Sequence, residues 1–304
     1  MNDLQKQKER LTGILSRFID YSSKHLPDDV YRKLEQMRSE EESPRALGFY
    51  DAMFEDLKMA DEMDRPCCQD TGVMQFFVRV GENFPLRGSL AECLREATER
   101  ATKAAPLRPN VVDIFTDRNT GTNTGTRIPW IDWEIVSDSD EVQIWLYMAG
   151  GGCSLPGFAK VLPPLEGIEG VCREVYDQIA TLGVNACPPL LVGIGLANSM
   201  EVAAKLSKKA LLRPIGTHNA DPVGADLEKQ IEDGLNAIGI GPGGVTGRHS
   251  VMGVHIEEAG RHPATIAMGL SVSCWVHRRA VIRLCADLTG SDCSHSGADG
   301  YIFG

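Results

Sequence analysis

No unbroken apolar run in this 304-residue chain reaches the ~20 residues needed to cross a bilayer. The N-terminus, MNDLQKQKERLTGILSRF, is charged throughout and has no apolar signal core, so a cytoplasmic location is expected. A net basic charge is missing as well. The formal charge of −11 argues against a protein that grips a nucleic-acid backbone. It still allows a small anionic substrate, because a few local arginines outweigh distant acids. The nine cysteines include no CxxC pair, which speaks against zinc-finger and thioredoxin arrangements. Two glycine-rich spots fall short of nucleotide motifs. GIGLAN, at Gly193 and Gly195, lacks the third glycine, and GIGPGG contains Pro242 with no following Lys-Ser/Thr.

With 42% hydrophobic and 24% charged residues, the composition is that of an ordered globular protein. The length suffices for one large domain or two lobes. Residues 3–64 read as about three helices, broken at Pro27 and at Ser43-Pro44. A strand over 73–80 and a helix near 88–105 follow, then APLRPN and a tandem Asn-Thr-Gly-Thr within DRNTGTNTGTRIPW. The tandem reads as a surface hairpin. Strands IDWEIV and VQIWLYM lead into AGGGCSLPG, and helices are expected near 168–182, 199–209 and 224–238. NACPPLLVGIG reads as a turn and a buried strand, and the last third as strand-like with a loose tail. The expected class is α/β (mixed α+β), with a helical N-terminal layer over 1–64 inside a single 1–304 unit, or two lobes.

Nine cysteines in a reducing compartment favour metal binding or catalysis over disulfides. Cys93, Cys172 and Cys285 sit in regular elements and read as core filler. Cys293, in a polar tail, has no evident partner. Cys67, Cys68, Cys153, Cys187 and Cys274 lie in turns. Thiolates are the ligands of iron–sulfur clusters, and loops at strand ends can bring distant ones together, but spacing alone does not select a set.

The motifs PCCQDTG, APLRPN, AGGGCSLPG, NACPP, GPGGVTG, VMGVHIE, RHPATI and SCWVHRR occur in that order. In this the chain resembles the iron–sulfur class I fumarase and tartrate dehydratase family, from about residue 40 onward. The resemblance implies a [4Fe–4S] cluster held by Cys68, Cys187 and Cys274, with one iron left without a protein ligand. Cys67 and Cys153 would be bystanders. It further implies that Gln69, Arg108 and Gly151 contact the substrate, Arg108 through a carboxylate and Gly151 through its backbone N–H. Asp70 and His262 would belong to the proton-transfer machinery.

The same resemblance implies a hydro-lyase acting on a 2-hydroxy diacid. Family members built as one chain continue into a second domain, so a separate β subunit and an α2β2 assembly are expected, with no nucleic-acid or membrane partner. Fumarase members usually carry Ser-Glu-Asn after the triple glycine, where this chain has Cys153-Ser154-Leu155. That departure favours tartrate over malate and fumarate. A two-subunit fumarase is the alternative, and a zinc protein or a non-catalytic scaffold stands further off.

Overall fold

Leu11, Ile14, Leu15, Phe18 and Ile19 recur at three- and four-residue spacing, and all five lie on the buried side of one helix. Asn2 caps it, its side chain accepting from the Gln5 N–H at 2.9 Å. The computed structural model describes residues 2–304. In chain order its helices are α1 (Asp3–Lys24), α2 (Asp28–Glu40), α3 (Pro44–Glu62), α4 (Leu90–Ala104), α5 (Gly151–Ser154), α6 (Gly167–Leu182), α7 (Met200–Ala210), α8 (Pro222–Ala237) and α9 (Asp299–Phe303). Its strands are β1 (Val73–Gly81), β2 (Trp130–Val136), β3 (Val142–Ala149), β4 (Phe158–Leu162), β5 (Leu190–Ala197), β6 (Val251–Glu258), β7 (Ile266–Ser273), β8 (Arg279–Leu284) and β9 (Gly290–Asp292). Helices and two mixed sheets together give the expected α/β class.

The contacts divide the chain into two units, each made of discontinuous segments. The first comprises Met1–Asp28, Asp56–Gly150 and Arg278–Gly304. Its sheet runs β2-β1-β3-β8-β9, parallel between β1 and β2 and antiparallel elsewhere. Met74, Phe76, Val78 and Val80 alternate along β1 and enter one core with the apolar stripe of α1. Leu90, Leu94, Ala97 and Ala101 of α4 join the same core.

The second unit comprises Asp29–Glu55 and Gly151–His277, around a sheet of order β4-β7-β5-β6. Val192 and Ile194 of β5 share a core with Val171, Val175 and Ile179 of α6 and with Ile231 and Leu235 of α8. On the other face, Gly193 and Gly195 let α7 approach the strand. A Cβ at Gly195 would stand 2.0 Å from the Ala203 carbonyl oxygen, and one at Gly193 would stand 2.3 Å from that of Ser207. The glycines of GIGLAN thus serve helix packing, which agrees with the rejection of a nucleotide motif.

The three expected N-terminal helices are present as α1–α3, with α1 in the first unit and α2, apart from Asp28, in the second. Two expectations need correction. The tail is ordered. Asp292 at the end of β9 accepts from the N–H groups of Ser294 and His295 at 2.6 and 2.7 Å, and α9 follows. Cys285 is exposed rather than core filler, because β8 ends at Leu284 and the chain turns there through a Leu288 N–H to Cys285 carbonyl bond of 2.9 Å.

Candidate active site

In the first unit the PCCQDTG turn opens β1. Cys67 is 3% exposed, and its thiol donates to the Ser23 carbonyl at 3.3 Å. Burial pushes this thiol up to about 12, against a smaller opposing pull from the Arg278 guanidinium. Cys67 is therefore a protonated packing residue. Cys68 is half-buried and Gln69 is exposed.

Asp70 is held from two sides. Its Oδ1 accepts from the Gly72 N–H at 2.9 Å and from Asn110 Nδ2 at 2.6 Å. Gly72 adopts φ +73°, and a Cβ there would meet the Ala149 carbonyl oxygen at 2.3 Å. The turn is thus pressed onto the end of β3. A Cβ at Gly150 would lie 2.8 Å from Asp70 Oδ2, so the glycine loop begins where the carboxylate needs room.

Asn110 belongs to APLRPN, two residues after Arg108, whose side chain is exposed. The second Asn-Thr-Gly-Thr fixes this loop. Asn123 is fully buried at φ +56°, donates from Nδ2 to the Arg108 carbonyl at 3.1 Å, and accepts from the Asn110 N–H at 2.7 Å. Asn119 of the first copy donates to the Pro109 carbonyl at 2.8 Å. The expected surface hairpin is instead a brace for the Arg108 loop. Sequence reasoning missed Asn110 and Asn123. Proximity to Arg108 was the one signal for Asn110, and burial of one repeat but not the other has no sequence signature.

Arg278 was also missed. It is 2% exposed and donates from Nη2 to the Asp70 carbonyl at 2.6 Å. Its position follows from strand register. Val73 pairs with Ala149, Tyr147 pairs with Arg279, and the Met148 N–H continues the ladder to the Arg278 carbonyl at 3.1 Å. The Arg278 Nε and Nη1 atoms are buried without a partner, as is the neighbouring Thr71 Oγ1.

In the second unit, Cys187 and Cys274 come together at one end of the sheet. Cys187 directly precedes Pro188-Pro189 and β5, Cys274 directly follows β7, and Leu191 pairs with Ser273. The Trp275 N–H donates to the Cys187 carbonyl at 3.3 Å. Cys187 takes a left-handed conformation, φ +55°, and is exposed, whereas Cys274 is 8% exposed. The GPGG turn supports the same segment through a Gly243 N–H to Pro188 carbonyl bond of 2.8 Å. Gly151 starts α5, and a Cβ on the next residue, Gly152, would meet the Asn185 carbonyl oxygen at 2.8 Å.

His262 is placed differently. It is exposed in the loop before β7, its Nδ1 accepting from the Ala264 N–H at 3.1 Å. The eight residues of β7 separate that loop from Cys274, roughly 25 Å of strand. Within one chain, His262 and Cys274 stand at opposite ends of β7.

None of the nine cysteines forms a disulfide. Among the described residues, no group of three or more His, Cys, Asp or Glu side chains is disposed to hold a single metal ion. A cubane cluster makes a different demand, one thiolate per iron. Within each unit the donors suit such a group. In the first, Cys68 lies two residues before Asp70, whose carbonyl takes the buried Arg278 guanidinium with its unanswered N–H groups. In the second, a backbone hydrogen bond holds the Cys187 and Cys274 segments together.

Comparison with known proteins bears on the reaction. The chain is 52% identical over 298 residues to the L(+)-tartrate dehydratase subunit alpha of Escherichia coli strain UTI89, covering 97% of this chain and 98% of that one. It is 51% identical to the subunit of the same name from strain K12, with the same coverage. It is also 37% identical over 281 residues to the putative L(+)-tartrate dehydratase subunit alpha of Methanocaldococcus jannaschii, covering 91% of this chain and 99% of that one. The family described as fumarate hydratase (Fumerase) matches residues 12–283. These are hydro-lyases, and the chain belongs to the fumarate hydratase (Fumerase) family.

Proposed function

We propose that this chain is the α subunit of a two-subunit L(+)-tartrate dehydratase that converts L-tartrate to oxaloacetate. The observation that carries the substrate is 52% identity over nearly the full length of a subunit bearing that name. In this reading Cys68, Cys187 and Cys274 hold a [4Fe–4S] cluster. The cluster would supply an open Lewis-acid position that eases departure of hydroxide.

The remaining roles fall to the chain's own groups. Asp70 handles the substrate proton. Two donors on Oδ1 fix its carboxylate, and the glycine at 150 leaves no side chain beside Oδ2. Arg108 pairs with a substrate carboxylate through its planar fork, on a loop that Asn123 braces. Gln69 and the Gly151 N–H complete the polar contacts. His262 takes part from a second copy of this chain, because β7 keeps it from Cys274 of its own. A β subunit supplies the rest of the site, in an α2β2 assembly working in the cytoplasm. Among the described residues no helix is long and apolar enough to cross a membrane.

The test is turnover by the complex of this chain with its β subunit, purified without oxygen and offered L-tartrate, D-tartrate, malate and fumarate. Oxaloacetate from L-tartrate at the highest kcat/KM is expected. Preference for malate and fumarate would favour the two-subunit fumarase instead, a reading supported by the matching family's name.

A further inference from the structure

A buried cation with unanswered donors is costly. An arginine shielded from water loses hydration that must be replaced by hydrogen bonds or an opposite charge. Arg278 meets only part of that demand. Nη2 reaches the Asp70 carbonyl at 2.6 Å, while Nε and Nη1 are buried with no partner. Thr71, 1% exposed and next to Asp70, also has an unanswered hydroxyl. Two neighbouring groups of unused hydrogen-bonding capacity thus lie behind the turn that carries Cys68. The guanidinium reaches that turn through the Asp70 carbonyl, two residues after Cys68. The Cys67 thiol is already engaged, donating to the Ser23 carbonyl.

We propose that Arg278 is a positioning residue for the cluster end of the site. Its Nη2 fixes the Asp70 backbone, and its buried Nε–H and Nη1–H supply counter-charge to the anionic group that the Cys68 thiolate holds. This rests on the cluster reading given above. Arginine suits the task because its fork serves a carbonyl and an anion together without losing its charge. A positive charge buried near a cluster also raises its reduction potential, since net charge and hydrogen bonding set that potential. Arg278 therefore links the placement of Asp70 to the electronic state of the bound group.

The test uses the αβ complex, purified without oxygen, as wild type, Arg278→Met and Arg278→Lys. Iron retained after chelator challenge, the midpoint potential of the cluster and kcat/KM are read for each. Loss of an outer group that orients metal ligands typically costs roughly 10- to 100-fold in affinity or activity. Arg278→Met should lose that much in iron retention and shift the potential to more negative values. Arg278→Lys should restore the potential, which follows charge, but not kcat/KM, which also needs the fork at the Asp70 carbonyl. If Arg278→Met does not fold, Arg278→Lys decides by itself: wild-type potential with lowered kcat/KM is expected. Unchanged iron retention, potential and kcat/KM in either folded variant would overturn the inference and leave water as the partner of those N–H groups. A wild-type complex without iron would instead overturn the cluster reading, and the inference with it.

Discussion

Adjacent residues in the PCCQDTG turn meet opposite environments, and their chemistry follows. Cys67 faces inward to Ser23 with a thiol pushed up to about 12, whereas Cys68 is half-buried at the same turn. Asp70 owes its orientation to Asn110 and to its own Asx bond with Gly72. Asn110→Ala removes one donor from the Asp70 carboxylate. Its expected effect is a fall in kcat of roughly tenfold or more, since small misplacements of reacting groups cost up to about 100-fold, with thermal stability nearly unchanged. Steady-state kinetics beside a melting curve separate the two effects. An unchanged kcat would mean that the Asn110 bond is not needed to place Asp70. The motif residues themselves were legible, because their types and order are distinctive. Their supports were not, since Asn110, Asn123 and Arg278 act through backbone atoms of other segments that no local pattern reveals.

Elements were read well where periodicity or a breaker was strong. The predicted strand over 73–80 and helix near 168–182 match β1 and α6 within one residue at either end. What was not legible was the role of segments rich in turn residues. GIGLAN was set aside as a nucleotide motif, but nothing in its sequence shows that its glycines admit α7. Gly195→Val places a branched side chain where even a Cβ would be 2.0 Å from a helix carbonyl. A loss of about 1–3 kcal/mol is expected from such overpacking, measured by denaturant unfolding, and a neutral result would show that α7 can move.

The tail shows a similar failure, since SDCSHSG has the composition of a loop and folds through one carboxylate. Burial would raise Asp292, but hydrogen bonding and charge from His295, followed by bonds from Ser294, hold it below the usual carboxylate range. A lowered folded pKa means stability that is present above the unfolded value near ~3.9 and is lost as pH falls through the folded value. Asp292→Asn should therefore lower Tm at neutral pH and flatten its acid dependence below about pH 4. A Tm drop equal at every pH would contradict this.

At the scale of the molecule, two units were hidden in a sequence without a linker. Their boundaries fall at the start of α2 between Asp28 and Asp29, inside α3, between Gly150 and Gly151, and between His277 and Arg278. Two of the four thus cut through the motifs AGGG and SCWVHRR, and composition marks none of them. His262 is the other lesson at this scale. Twelve residues before Cys274 looks close in sequence, but an extended strand converts that interval into distance. A role for His262 in a second copy's site is checked by mixing chains. Complexes holding one Asp70→Asn and one His262→Asn chain should show activity that neither homogeneous complex has, because one intact site is rebuilt. No recovery would exclude a shared site.

The most direct measurement is the iron and sulfide content of the protein purified without oxygen, compared among four serine variants. Replacement at Cys68, Cys187 or Cys274 is expected to abolish the cluster. Replacement at Cys67 should leave it at the wild-type level, because that thiol is buried, protonated and bonded to Ser23. Full iron in Cys68→Ser together with none in Cys67→Ser would contradict the ligand assignment on which the proposed chemistry stands.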